Sequence, residues 1–248
     1  MRAWHLFSRR ARNTEGKWNI RTMFGPNLNF AATEAYKLLR TNLAYSFADT
    51  GEGKVIGVTS ADTGEGKSST ACNIAYAMAE SGEKVLLLEA DLRRPTVASK
   101  MGIARRPGVV NMLVNRESNS DVVQQSTAAP NMDIITSGDI PPNPSELLGS
   151  EQMAQVMEQM KKDYDYIIVD LPPVTLVSDA VAMAKSLDGV VVVVRGDHTE
   201  KKLLAEAMRQ LNMVDVRILG FVYRVPEENS RSYSYKYKKK NYNEYNKK

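Results

Sequence analysis

The 248-residue chain has a single cysteine, Cys72. No internal disulfide can form, so the fold must be held by its core, and a reducing cytoplasmic compartment is the natural expectation. Cys72 lies among small and apolar residues, where a buried, inert thiol is expected. Histidine is almost as scarce, with only His5 and His198. Neither belongs to a set with metal-ligand spacing, which removes zinc hydrolases from consideration; His198 reads as a solvent-facing residue at a helix start. No apolar run approaches the roughly 18–20 residues needed to cross a bilayer. The basic start, Met1-Arg-Ala-Trp-His-Leu-Phe, lacks the apolar stretch of a signal peptide. Any membrane contact should therefore be peripheral or through another protein.

What the chain has is an ordinary globular composition, 43% hydrophobic and 25% charged, with length enough for one large α/β domain. The net charge of +4 is unevenly spread. Residues 1–21 carry +5 and residues 231–248 carry +6, which leaves −7 on the middle. An acidic domain with basic ends is not expected to bind nucleic acid; such ends suit an anionic membrane surface or an acidic partner, or are simply solvated.

Along the chain, residues 1–29 read as an irregular basic arm. Helical spacing of apolar residues over 31–47 predicts a helix, with Thr33 as N-cap. Short β-branched runs at Lys54–Thr59, Lys84–Ala90, Met132–Thr136, Tyr166–Asp170, Val190–Arg195 and Val216–Arg224 predict strands. Helices are expected over Ser68–Glu80, Ser145–Lys162, Ser178–Leu187 and Thr199–Leu211, mixed short helices and loops over 95–130, and a rigid loop at Pro141-Pro-Asn-Pro. Strands that are apolar throughout and separated by helices indicate a mostly parallel central sheet with helices on both faces, and a ligand at the carboxyl ends of the strands. Residues 30–225 form this domain. Residues 226–248, rich in Tyr and Lys, have no apolar periodicity and are expected to be disordered.

The strongest chemical signal is Thr59-Ser-Ala-Asp-Thr-Gly-Glu-Gly-Lys-Ser-Ser, a strand-to-helix turn of the P-loop kind. Gly64 and Gly66 let the backbone of Thr63–Ser69, Glu65 included, curl so that its N–H groups face phosphates, and the following helix adds its positive end. Lys67 would reach the β and γ phosphates of ATP, and the Ser68 hydroxyl would hold Mg²⁺. Position 61, where the general pattern has its first glycine, is alanine. Asp170, at the end of an apolar strand, is placed to organise Mg²⁺. Glu89 and Asp91 lie two apart after KVLLL; on an extended strand they would share a face and repel without a cation between them.

These motifs resemble the bacterial tyrosine kinases of capsule and exopolysaccharide synthesis, a three-layer P-loop NTPase fold. The resemblance covers roughly residues 30–248. It rests on TGEGKSS, LLLEADLRRP, YIIVDLPP with Asp179-Ala180 beyond it, Glu34-Ala-Tyr-Lys-Leu-Leu-Arg40-Thr-Asn, Pro142-Asn-Pro-Ser-Glu-Leu-Leu148 and a tyrosine-rich tail. It implies ATP- and Mg²⁺-dependent phosphorylation of tyrosine, chiefly on the tail of a neighbouring copy. Lys67 would stabilise the transferred group, and Ser68, Asp91 and Asp170 would organise Mg²⁺. Glu89 would orient the tyrosine hydroxyl and accept its proton, and Arg93 would steady the phosphates or the loop around them. The acceptors would be Tyr233, Tyr235, Tyr237, Tyr242 and Tyr245, five of the chain's eleven tyrosines within its last sixteen residues. Each phosphate would add about −1.5 to −2 charge to a basic segment. Also implied are a ring-like homo-oligomer paired through Glu34, Lys37 and Arg40, a membrane-embedded activator from a split system, a tyrosine phosphatase as partner, and a place at the inner face of the cell membrane.

Three positions depart from the family pattern. Glu89 stands for an aspartate, adding about 1.5 Å of reach. Lys37 stands for an arginine and lacks its bidentate fork. The strand ending Tyr223-Arg224 lacks the asparagine common in related ATPases, which leaves the adenine contacts open. Two other readings compete. Min-type and plasmid-partition ATPases carry a signature lysine five residues before the universal one, and Asp62 occupies that place. A non-catalytic ATP-binding regulator of polysaccharide export is kept open by Glu89.

Overall fold

The computed structural model describes residues 3–6, 24–47, 51, 53–115 and 119–225. Among these residues eight strands form one sheet in the order β1-β8-β7-β2-β6-β3-β5-β4. They are β1 Ala3–Leu6, β2 Lys54–Ser60, β3 Val85–Glu89, β4 Gln124–Gln125, β5 Met132–Ile135, β6 Tyr166–Asp170, β7 Gly189–Arg195 and β8 Ile218–Arg224. Every pairing is parallel except the short β4–β5 edge. The expected three-layer α/β fold with a mostly parallel sheet is therefore the observed one.

The strands are apolar throughout because both faces are covered, and alternate residues enter separate cores. Val55, Leu86, Leu88, Ile167, Val169, Val190 and Val192 face one way, onto Met153, Met157, Met160 and Leu211. Those four come from α7 (Glu151–Asp163) and α9 (Lys201–Met213). Ile56, Val58, Leu87, Ile168, Val191 and Val193 face the other way, onto Leu39, Leu43, Ile74 and Met78 of α1 (Phe30–Ser46) and α2 (Lys67–Glu80). Fully burying a side chain of this size contributes about 1.5–3 kcal/mol, so these two seams fix the strand order and with it the place of the loops.

The helices differ from expectation at their ends. Asn29, not Thr33, caps α1: its side chain accepts from Ala32 N at 3.0 Å, while the Thr33 hydroxyl donates to the Asn29 carbonyl. The helix expected over Ser145–Lys162 is two, α6 (Pro144–Leu148) and α7. Ser150 turns its hydroxyl to accept from Met153 N and starts α7 afresh. Pro144 opens α6 instead of closing a loop, since its ring presets the first-turn φ. The helix expected over Ser178–Leu187 is the single turn α8 (Asp179–Ala182) followed by a 3-10 turn, Ala184–Ser186. Residues 95–130 do hold short helices, α3 (Val97–Met101), α4 (Val109–Asn115) and α5 (Asn119–Val122).

The arm expected to be irregular over 1–29 carries a strand. Ala3–Leu6 pairs in parallel with Phe221–Arg224, supplying the backbone bonds that the β8 edge would otherwise leave to water. Residues 25–27 form a 3-10 turn. The tail tyrosines, Tyr233 to Tyr245, lie outside the described residues. Among the described residues no helix is long and apolar enough to cross a membrane.

Candidate active site

The carboxyl ends of β2, β3, β6 and β8 open into one cavity of about 810 Å³. Thr63, Gly64, Gly66, Lys67, Ser68 and Ser69 line one wall, and Asp91, Arg93, Arg94 and Thr96 another. Pro172, Pro173, Leu176 and Val177 form a third side, with Phe24, Cys72, Lys100 and Arg224 completing it. The phosphate-binding loop is thus where the motif placed it. Gly66 caps α2 in the left-handed region, φ +92°, with Gly64 at φ +73°. These values suit glycine and let α2 begin with its N–H groups facing the cavity.

Lys67 is the electrostatic centre. Its ammonium donates to Asp91 Oδ2 at 2.6 Å and lies 3.5 Å from Asp170 Oδ1. Burial works to lower its pKa, but Asp170 and Asp91 outweigh that and hold it above the ordinary lysine value. Asp170 is fully buried, and burial, opposed by Lys67, pushes its carboxyl up. Its other oxygen, Oδ2, is buried with no hydrogen-bond partner among the described residues. The cation expected between Glu89 and Asp91 is not there: Lys67 lies between Asp91 and Asp170, and Glu89 is held by backbone N–H groups.

Glu89 behaves differently from its expected role. It is the last residue of β3, and Asp91 lies beyond the strand, so the two do not share a face. Glu89 is fully buried and does not line the cavity. Its Oε1 accepts from the backbone N–H of Thr96 at 2.5 Å and of Val97 at 2.6 Å, and its Oε2 accepts from Ser137 N at 3.0 Å. Burial raises its carboxyl above the ordinary glutamate range and these amides oppose the rise. It ties the start of α3 to the end of β5. The expectation of a base pointing at substrate is corrected to that extent: the acid on the cavity wall is Asp91, whose Oδ1 accepts from Arg94 N at 3.0 Å.

Arg93 lines the cavity, but its guanidinium is paired with Asp179, at 2.9 Å from Nε and 3.0 Å from Nη2. Glu65 turns its side chain into the loop instead of the cavity. Ala61 N donates to its Oε2 at 3.0 Å, and the Thr199 hydroxyl donates to its Oε1. Burial pushes this carboxyl up as well. The P-loop carbonyls are held from outside by residues of β7, β8 and the loop after β7: Arg224 Nη1 donates to Glu65 O at 3.2 Å, Arg195 Nη1 lies 3.4 Å from Gly64 O, and His198 Nε2 lies 2.9 Å from Thr63 O. His198 is exposed as expected, yet it touches the loop. Cys72 is buried as expected, and burial drives its thiol far up, consistent with an inert group.

Phe24, Asp179, Arg195 and Thr199 were missed as site residues. Asp179 and Arg224 were visible in motifs but carried no assigned contact; Phe24 has no sequence signal, since only packing on Tyr76 brings it to the cavity. Glu34, Lys37 and Arg40 lie on α1 and none of them lines the cavity. Within one chain Lys37 pairs with Glu34 at 3.1 Å, and Arg40 Nη1 donates to Ala77 O at 2.9 Å.

Comparison with known proteins gives this geometry a context. The family model described as an AAA domain matches residues 53–218. The chain is 37% identical over 215 residues to tyrosine-protein kinase YwqD of Bacillus subtilis (strain 168), covering 86% of this chain and 89% of that one. It is 30% identical over 201 residues to tyrosine-protein kinase CpsD of Streptococcus agalactiae, covering 81% and 86%. Among solved structures, the kinase domain of Escherichia coli tyrosine kinase ETK superposes with TM-score 0.77 at 30% identity, over 88% of this chain and 84% of that one. The chimerical protein CapA2B2 gives 0.76 at 29% identity, over 84% and 90%. The septum site-determining protein MinD of Pyrococcus horikoshii, with a TM-score of 0.58 at 21% identity, over 73% and 76%, shares the fold. A P-loop, two acids on its lysine and this likeness over most of the chain together mean that the chain belongs to the family of bacterial tyrosine-protein kinases.

Proposed function

We propose that the chain is an ATP-dependent protein-tyrosine autokinase whose acceptors are Tyr233, Tyr235, Tyr237, Tyr242 and Tyr245 on the tail of a neighbouring copy. The observation that carries this reading is Lys67 held between Asp91 and Asp170 at the mouth of a P-loop cavity. ATP phosphates on the loop would draw Lys67 off Asp91, since a triphosphate offers it more negative charge than one carboxylate. That step frees Asp91 Oδ2 on the cavity wall. The phenol then attacks the γ phosphorus, its oxygen forming the new O–P bond as the bond to ADP breaks, and its proton passes to Asp91. A phenol with a pKa of about 10 loses its proton to a carboxylate only as that bond forms.

Ser68 and Asp170, whose Oδ2 has no hydrogen-bond partner among the described residues, fit Mg²⁺ and would hold it, which leaves Asp91 for the proton. Bound there, the cation neutralises phosphate charge. Glu89 fixes the backbone that carries Asp91 and Arg93. The wider setting is regulation of capsular or exopolysaccharide synthesis and export. The kinase would work as a homo-oligomer assembled through Glu34, Lys37 and Arg40, at the inner face of the membrane, with a membrane-embedded activator and a tyrosine phosphatase that resets the tail.

A mixing experiment tests the reading. Native chain, ATP and Mg²⁺ are incubated with a tagged Lys67→Met chain as acceptor, with and without the cytoplasmic segment of a membrane activator. Phosphotyrosine on the tagged chain is the expected result. Nucleotide binding without phosphotyrosine on either chain would favour the non-catalytic regulator.

A further inference from the structure

Asp179 is fully buried at the start of α8 and does not itself line the cavity. It accepts both Nε and Nη2 of Arg93 in a two-pronged pair, and the Ser145 hydroxyl of α6 donates to its Oδ1. Ser145 in turn lies 3.5 Å from Arg93 Nη2. Two separate segments, α6 and α8, thus converge on one guanidinium, carried by the loop after β3, whose side chain is still 43% exposed and lines the cavity. The same cavity is lined by an apolar lip of Pro173, Leu176 and Val177. That lip is pinned by Val174 N to Ser60 O at 3.0 Å and by the Thr175 hydroxyl to Ala61 O at 2.5 Å. Leu176, at the tip of this pinned segment, is 54% exposed.

One cavity that holds both a fixed arginine and a fixed apolar lip suits an aryl phosphate. The ring meets leucine, valine and proline, and the guanidinium meets the ring face or the phosphate. Serine and threonine have no ring to lay on that apolar surface. We infer that Asp179, by fixing Arg93 in the cavity that the Leu176 lip also lines, is the positioning residue of the subsite that selects tyrosine as acceptor. This deepens the kinase reading and rests on it. Arg93 acts on the acceptor side, and the P-loop wall keeps the nucleotide.

The test uses the full chain with Asp179→Asn, Arg93→Ala, the double variant and Leu176→Ser. Three quantities are read: binding of a fluorescent ADP analogue, KM and kcat for a synthetic one-tyrosine peptide and its serine counterpart, and calorimetric binding of phenyl phosphate to the chain loaded with Mg²⁺ and ADP. Each single variant is expected to raise the peptide KM and weaken phenyl phosphate about tenfold, equivalent to about 1.4 kcal/mol, with ADP binding within about twofold. The double variant should be no worse than Arg93→Ala, because Asp179 acts through Arg93. If Asp179→Asn does not fold, Arg93→Ala and Leu176→Ser decide the matter. Equal weakening of ADP, additive losses in the double variant, or unchanged phenyl phosphate binding would overturn the inference. Absence of transfer by the native chain, with phenyl phosphate still bound and lost in the variants, would sink the kinase reading and leave the subsite standing.

Discussion

Replacing Glu89 separates a structural carboxylate from a chemical one. In Glu89→Gln the amide keeps one oxygen, enough for the paired N–H groups of Thr96 and Val97. The other oxygen becomes an NH₂ facing Ser137 N–H, which donated at 3.0 Å. A charge-assisted hydrogen bond is lost and a buried donor is stranded, which together cost about 2–3 kcal/mol. For a chain of this size about 1 kcal/mol shifts Tm by roughly 2–4 °C. A fall of roughly 4–12 °C is therefore expected, followed by far-UV circular dichroism. Glu89→Asp, too short to bridge both elements, should fall by a similar amount. At a temperature where both variants are folded, tyrosine transfer by Glu89→Gln should stay within about tenfold of native, because the side chain does not reach the cavity, whereas Asp91→Asn should lose on the order of 100-fold or more. Unchanged Tm together with abolished transfer in Glu89→Gln would refute the reasoning and make Glu89 the base.

Three other outcomes follow from the same geometry. Lys67→Met should abolish binding of a fluorescent ADP analogue and, by leaving Asp91 and Asp170 without their cation, destabilise the nucleotide-free chain by about 3–5 kcal/mol in a urea titration; a native-like midpoint would contradict the ion triad. Gly66→Ala should cost about 1–3 kcal/mol for φ +92°, and adding Arg224→Ala should relieve only the contact with its guanidinium, so the double variant should still bind nucleotide poorly; full recovery would mean the backbone is not the constraint. Glu65 holds its proton more tightly folded than unfolded. Its share of stability is therefore full below the ordinary glutamate value of about 4.3 and is lost as pH rises through the elevated folded value. Calorimetric scans from about pH 4 to 7 should show a steeper decline for the native chain than for Glu65→Gln, and parallel curves would refute the assignment.

The sheet was legible because a doubly covered parallel strand has to be apolar on both faces, and runs such as YIIVD and VVVVVR have no other stable use. The P-loop was legible because its glycines, lysine and hydroxyls act locally. Less was legible where a contact joins distant segments. Arg93 and Asp179 are 86 residues apart, and nothing in either neighbourhood announces the pair. The two-residue period of a strand put Glu89 on one face with Asp91, and the family resemblance made it the base; the strand ends at Glu89 itself, so Asp91 follows a different path. The break between α6 and α7 was hidden because Leu148, Met153 and Met157 keep an apolar face across it, while Ser150 supplies a fresh cap. The strand Ala3–Leu6 was missed because four residues are too few for a periodic signal.

The most direct test of the central claim is site-resolved mass spectrometry of the purified chain after incubation with ATP and Mg²⁺, with and without an activator segment and with Lys67→Met as blank. The account predicts phosphate on Tyr233, Tyr235, Tyr237, Tyr242 or Tyr245 in the native chain and none in the blank. A native tail that stays unmodified under both conditions, in a chain that binds ATP, would contradict it.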